Sequence, residues 1–179
     1  MNQTPSLSFI DAIKAVFKNF ANFNGRARRS EFWWWYLFTC IVNSIFAFPI
    51  QALMAKKSAL VAQYQGEYIN AALNGGDTAA LEAQINAADP TNTIIALCVV
   101  FGIVSLILLI PTLAVGCRRL HDVGKSGKLQ WLVLLCGVGY LIPLIMCIPD
   151  GNPAPNQYGP SPKYADPQAF NAPQAPQTI

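Results

Sequence analysis

The stretch FWWWYLFTCIVNSIFAFPIQALM, Phe32 to Met54, runs for 23 residues without one acidic or basic side chain. At about 1.5 Å rise per residue it makes a helix of roughly 35 Å, enough to cross a hydrocarbon core of roughly 30 Å. Two more stretches have the same character: Ile94 to Val115, of 22 residues, and Leu129 to Ile148, of 20. In lipid only helices and closed barrels satisfy their own backbone, and these runs are too continuous for the alternation of a barrel strand. The sequence therefore predicts an all-α integral membrane protein with three transmembrane helices, an N-terminal amphipathic interfacial helix and a Pro-rich tail.

Composition points the same way. Only 12% of the 179 residues are charged, against about 25% in a soluble domain, too few to cover a water-facing globule. A net charge of +3 from so few charged groups does not describe a nucleic-acid binder. One His and five Cys leave little material for a metal site. Cys40, Cys98, Cys117, Cys136 and Cys147 lie in or at the edge of the apolar runs with no CxxC spacing, and read as small apolar side chains. No metal or cofactor is expected.

The Lys and Arg flanking the runs set the expected orientation. Residues 1–31 carry Lys14, Lys18, Arg26, Arg28 and Arg29, and the linker 116–128 carries Arg118, Arg119, Lys125 and Lys128. The loop 55–93 carries only Lys56 and Lys57, and the tail 149–179 only Lys163. Nine against three puts the N-terminus and the linker 116–128 in the cytoplasm, and the loop and tail outside. Trp33, Trp34, Trp35 and Trp131 all open spans at the cytoplasmic interface, where indole rings concentrate. The first apolar run starts late and is too long for a secretory signal, so it should stay as an anchor.

The chain then divides as follows. Residues 1–31 are a cytoplasmic segment in which Phe9, Ile10, Ile13, Val16, Phe17 and Phe20 recur at helical spacing, with Ser8 and Asp11 set like a capping box. Such a helix lies in the membrane interface or packs on the protein's own spans. Spans at 32–54 and 94–115 flank an Ala-rich, acidic loop, 55–93. There Gly75-Gly76-Asp77 reads as a helix stop followed by a new N-cap, and Pro90 closes the segment. The loop reads as a helical spacer rather than a binding lid. The basic linker 116–128 leads to the third span, 129–148. The tail 149–179, with eight of the thirteen prolines, should be largely disordered.

Two polar clusters carry whatever chemistry there is: Asn24-Gly25-Arg26-Ala27-Arg28-Arg29-Ser30-Glu31-Phe32-Trp33 and Arg118-Arg119-Leu120-His121-Asp122-Val123-Gly124-Lys125-Ser126-Gly127. On helices, Arg118 and Asp122 are four apart and Arg28 and Glu31 three apart, so each pair can meet. The patterns F-x-G-R-A-x-R-x-E-F-W, from Phe23 to Trp33, and R-R-L-H-D-x-G-K-S-G, from Arg118 to Gly127, resemble the bacterial inner-membrane family catalogued as domain of unknown function 805. The tail's Asn156-Gln157-Tyr158-Gly159-Pro160-Ser161-Pro162 is similar to that family's closing motif. The resemblance runs from about Lys14 to Lys163 and implies a small multi-span inner-membrane protein, without implying an activity. Lys128, Leu129 and Gln130 stand here where the family usually places Trp directly after Ser-Gly, and the first extramembrane loop is long.

Three readings of Arg26, Arg28, Arg29, Glu31, Arg118, Arg119, His121 and Asp122 compete. They are topogenic charges, or a site for anionic lipid or a protein partner, or a catalytic group acting on a lipid head group. Neighbours on a helix do not face each other, so His121 and Asp122 make a poor catalytic dyad. Gly124-Lys125-Ser126 is no phosphate loop, because Arg119 occupies the position of its first glycine. The expected function is that of a non-enzymatic lipid- or partner-binding membrane module, with homo-oligomerisation or a protein partner as its other contacts. The alternative is a subunit of an oligomeric transporter or channel. One proline per span (Pro49, Pro111, Pro143) suits that alternative, while the lack of ionisable residues inside the spans opposes it.

Overall fold

The computed structural model describes residues 4–134 and 144–164. Among these no strand forms, and four α-helices follow in order: α1 (Phe9–Lys18), α2 (Arg29–Asn74), α3 (Thr78–Ala88) and α4 (Thr91–Asp122). A 3₁₀ helix, Gly127–Leu134, comes after α4. Two helices, α2 and the one ending at Asp122, are long and apolar enough to cross a membrane. At 46 residues α2 is about 69 Å long, roughly twice the hydrocarbon thickness, so it extends well beyond its apolar run at 32–54. Nine of the twenty residues of the expected third span, 135–143 including Cys136, lie outside the described residues, as does the end of the tail, 165–179. The described start of that run is 3₁₀, unlike α2 and α4.

The described chain falls into two compact units. The first comprises Met1–Thr39 and Ile107–Ile179. Here α1 is capped by Ser8, whose side chain accepts from the Asp11 amide. It buries Ala12 and Val16 and leaves Ile10 and Phe17 exposed. Val16, Ala27, Trp35 and Val115 form the core, with Ile13, Phe32, Phe38 and Leu108 packed against it. Edge-on aromatic pairs, Phe9 with Trp34 at 5.7 Å and Phe17 with Trp35 at 5.3 Å, hold α1 to the start of α2. Both indoles find acceptors: Trp34 Nε1 donates to Leu7 O at 3.0 Å and Trp35 Nε1 to Thr112 Oγ1 at 3.1 Å. Trp35, expected among interfacial rings, is thus a core residue.

The second unit is Cys40–Leu106. Phe46 stacks on Phe101 at 5.3 Å, joining α2 to α4. Gly75, with φ +70°, ends α2, and Asp77 caps α3 by accepting from the Ala80 amide at 3.0 Å. Lys57 reaches Asp89 at 3.6 Å, so one of the two lysines of the 55–93 loop is balanced locally. Large apolar side chains such as Ile45, Phe48, Val99 and Leu106 are more than half exposed. A soluble core helix would bury them, whereas hydrocarbon covers them without cost.

The tail, expected at 149–179 outside the membrane and largely disordered, is described as far as Tyr164. Together with Cys147, these residues hydrogen-bond to Thr4, Arg26, Arg119, His121 and Asp122. The reason is local chemistry: the tail's carbonyls are the acceptors that buried guanidiniums require.

Candidate functional site

The two basic motifs meet in the first unit, beyond the charge-free segments of α2 and α4. At the end of α4, Gly124 adopts φ +74°, and its amide donates to His121 O while the Lys125 amide donates to Leu120 O at 2.8 Å. This is a Schellman cap, which explains the Gly of Gly-Lys-Ser without any phosphate loop. Gly25, at φ +83°, turns the chain before α2 so that Ala27 N donates to Arg118 O at 3.0 Å, fastening one motif to the other.

The ion pairs are not those that helical spacing suggested. Arg118 pairs with Glu31 at 2.8 Å rather than with Asp122. Asp122 lies between two other guanidiniums: Arg26 Nε donates to its Oδ1 at 2.8 Å, and Arg119 Nη1 holds its Oδ2. Arg28 does not reach Glu31. Its Nη1 donates to Thr4 Oγ1 and to Pro5 O, each at 2.7 Å. An i, i+3 or i, i+4 pair on an exposed helix gains only a few tenths of a kcal/mol, so Arg118 and Arg28 take longer-range partners, while Arg119 and Asp122, three apart on α4, pair where both are buried.

Arg26, Arg118, Arg119, Asp122 and Glu31 are all buried, and so form the closed interior of the site. Tail carbonyls complete it: Arg26 Nη1 donates to Ala154 O at 2.9 Å and to Gly159 O at 3.3 Å, and Arg119 Nε to Cys147 O at 3.2 Å. His121 takes no part in an acid–base dyad with Asp122. Its Nδ1 lies 3.1 Å from Gly25 O, to which it donates, and its ring stacks on Tyr158 with centroids 3.7 Å apart and planes 6° from parallel. Burial pushes its pKa below the ordinary imidazole value, partly offset by the Gly25 carbonyl.

Beside this interior is a cavity of about 260 Å³, lined by Arg28, Arg29 and Lys163 and by the hydroxyl-bearing Ser6, Ser30 and Ser161. Asp122, Asp150 and Gly151 complete its lining. Asp150 accepts from Lys163 Nζ at 2.9 Å and stands 3.9 Å from Arg29 Nη1. The Lys163 hydrogen bond holds its carboxyl below the usual range, with Arg29 adding to the effect. Since Asp122 is already matched by Arg26 and Arg119, the cavity keeps an excess of positive charge. Of the eight residues singled out in the sequence, Arg28, Arg29 and Asp122 reach it. Ser6, Asp150, Gly151, Ser161 and Lys163 were missed as site residues, and Ser30 was noted only as part of the first motif. The Asn-Gln-Tyr-Gly-Pro-Ser-Pro motif, which contains Ser161 and precedes Lys163, was a signal for those two alone.

The family model described as "Protein of unknown function (DUF805)" matches residues 20–160. The chain is 31% identical over 148 residues to the Inner membrane protein YhaH of Escherichia coli (strain K12), covering 83% of this chain and 93% of that protein. It is 28% identical over 150 residues to the Inner membrane protein YhaI of the same strain, covering 84% and 93%. No solved structure matches. With both basic motifs and the tail motif inside the matched region, the chain belongs to the DUF805 family of bacterial inner-membrane proteins.

Proposed function

We propose that the protein is a non-enzymatic, multi-pass module of the inner membrane whose cavity binds the phosphate of an anionic lipid head group. Its N-terminus and the linker 116–128 face the cytoplasm, and α1 lies at the interface. The observation carrying this reading is the lining of the cavity: two arginines, one lysine and three serines around about 260 Å³, against Asp150 and an Asp122 already matched by Arg26 and Arg119. Guanidinium forks match phosphate oxygens two at a time, hydroxyls add neutral donors, and basic pockets beside spans suit anionic head groups. The candidate residues for the ligand are therefore Arg28, Arg29 and Lys163, while Arg26, Arg118 and Arg119 build the scaffold.

Native mass spectrometry of the detergent-purified protein tests this with added phosphatidylglycerol, phosphatidylcholine and inorganic phosphate as probes. The parent should retain phosphatidylglycerol in preference to phosphatidylcholine. An Arg28→Gln/Arg29→Gln variant with unchanged thermal stability should bind it at least tenfold more weakly, since each charge-assisted hydrogen bond contributes about 1.5–3 kcal/mol. Equal retention by parent and variant would return these arginines to a purely topogenic role. Displacement by inorganic phosphate alone would identify a soluble anion as the ligand.

A further inference from the structure

The third apolar run begins at Leu129 and ends at Ile148, and the chain before it meets the chain after it in a single cluster. Arg119 Nε donates to Cys147 O at 3.2 Å, and its Nη2 to Pro149 O. The Asn152 amide donates to Asp122 O at 2.9 Å, and Asn156 Nδ2 to His121 O at 2.9 Å. Arg26, from the segment before α2, holds the carbonyls of Asn152, Ala154 and Gly159. At the far end of the tail, the Thr4 amide donates to Lys163 O at 2.9 Å. Bonds of this length cannot reach across a hydrocarbon core of roughly 30 Å.

We infer that the tail through Tyr164 lies on the same membrane face as the N-terminus and the linker 116–128. The third apolar run then begins and ends on that face instead of joining the two faces. Three further observations agree. The Arg119 and Arg26 side chains are 0% and 1% exposed, and a tail on the opposite face would take five carbonyl acceptors from them. A buried guanidinium stripped of acceptors is strongly disfavoured. The run opens as a 3₁₀ helix, a form seldom sustained over long stretches, whereas both crossing helices are α throughout. Moving Lys163 to the N-terminal face leaves only Lys56 and Lys57 of the twelve Lys and Arg on the other, a cleaner asymmetry than nine against three.

The inference concerns the side of the membrane alone and stands apart from head-group binding. Single cysteines placed in a cysteine-free background at the exposed positions Asn22→Cys, Glu82→Cys and Gln157→Cys test it with a membrane-impermeant maleimide. Intact spheroplasts and inside-out vesicles are labelled in parallel. Gln157→Cys should react from the same side as Asn22→Cys and from the side opposite Glu82→Cys. Reaction of Gln157→Cys together with Glu82→Cys overturns the inference. If the cysteine-free protein does not accumulate, an epitope placed after Ile179 of the native chain gives the same reading by protease access. Digestion from the same side as an epitope placed before Met1 supports a shared face, and digestion from the opposite side refutes it.

Discussion

Replacing Gly151 by alanine tests how tightly the tail is seated. Gly151 has no left-handed φ, so alanine meets no backbone penalty there and the effect is purely steric. A Cβ at this position would stand 2.7 Å from Asp122 Oδ1 and closer still to its Oδ2 and Cγ. Ordinary contacts need about 3.5–4.0 Å, so one side must move by about 1 Å or more. Asp122 cannot yield cheaply, being buried with both oxygens held by Arg26 and Arg119. The tail must move instead, stretching the neighbouring bond from the Asn152 amide to Asp122 O. Overpacking costs about 1–3 kcal/mol and the lost hydrogen bond about 1 kcal/mol. A total near 3 kcal/mol lowers the docking equilibrium of the tail about a hundredfold. Hydrogen exchange by mass spectrometry in detergent reads this directly: the peptide covering residues 149–164 should exchange faster by about that factor, while α1 and the start of α2 keep their protection. Unchanged exchange across residues 149–164 would mean that Gly151 is not pressed against Asp122, and would remove the close packing on which the reasoning rests.

Asp122→Asn keeps shape but removes the charge matching two buried guanidiniums, and should destabilise the unit by about 3–5 kcal/mol in thermal unfolding. Gly124→Ala has open space around its Cβ and differs only in backbone strain at φ +74°, so about 1–2 kcal/mol is expected, without loss of ligand binding. Because the pKa of His121 is lowered by burial, the unfolded chain binds the proton more readily than the folded one. Stability is therefore full above the unfolded value of about 6.5 and falls as the pH drops below it. Melting curves between pH 8 and pH 5 should show that decline, and a His121→Asn variant should lose the part due to this ring.

The two helices long and apolar enough to cross a membrane were legible because a charge-free run of more than twenty residues has few alternatives. Phe32–Met54 and Ile94–Val115 indeed lie within α2 and α4. Hydropathy cannot separate a run that joins two faces from one that returns to the first, because both exclude charge equally. Leu129–Ile148 was read as a third crossing on that pattern alone, and its residues 135–143 lie outside the described residues. The site was legible in its membership, since both basic motifs converge, but not in its pairing. Spacing on a helix favoured Arg118 with Asp122, whereas burial rewards whichever carboxylate best neutralises a guanidinium, and this turned out to be Glu31. The role of the tail was hidden for a different reason. Its contribution is mostly backbone carbonyls, which every sequence supplies, and its prolines suggested disorder without showing that they also leave carbonyls free of helical bonding.

The bonds of Arg26 also impose an order on biosynthesis. Its carbonyl acceptors lie 126 to 133 residues further along the chain. At about 5–20 residues per second, roughly 6–26 s pass between the synthesis of this arginine and that of its partners. Through that interval the segment before α2 has emerged with its guanidinium incompletely matched, and it must stay hydrated or borrow acceptors from lipid. A chain stopped before Asn152 never escapes that condition. A stretch made late thus completes the bonding of one made early, and chains stopped before Asn152 should be degraded faster than the parent.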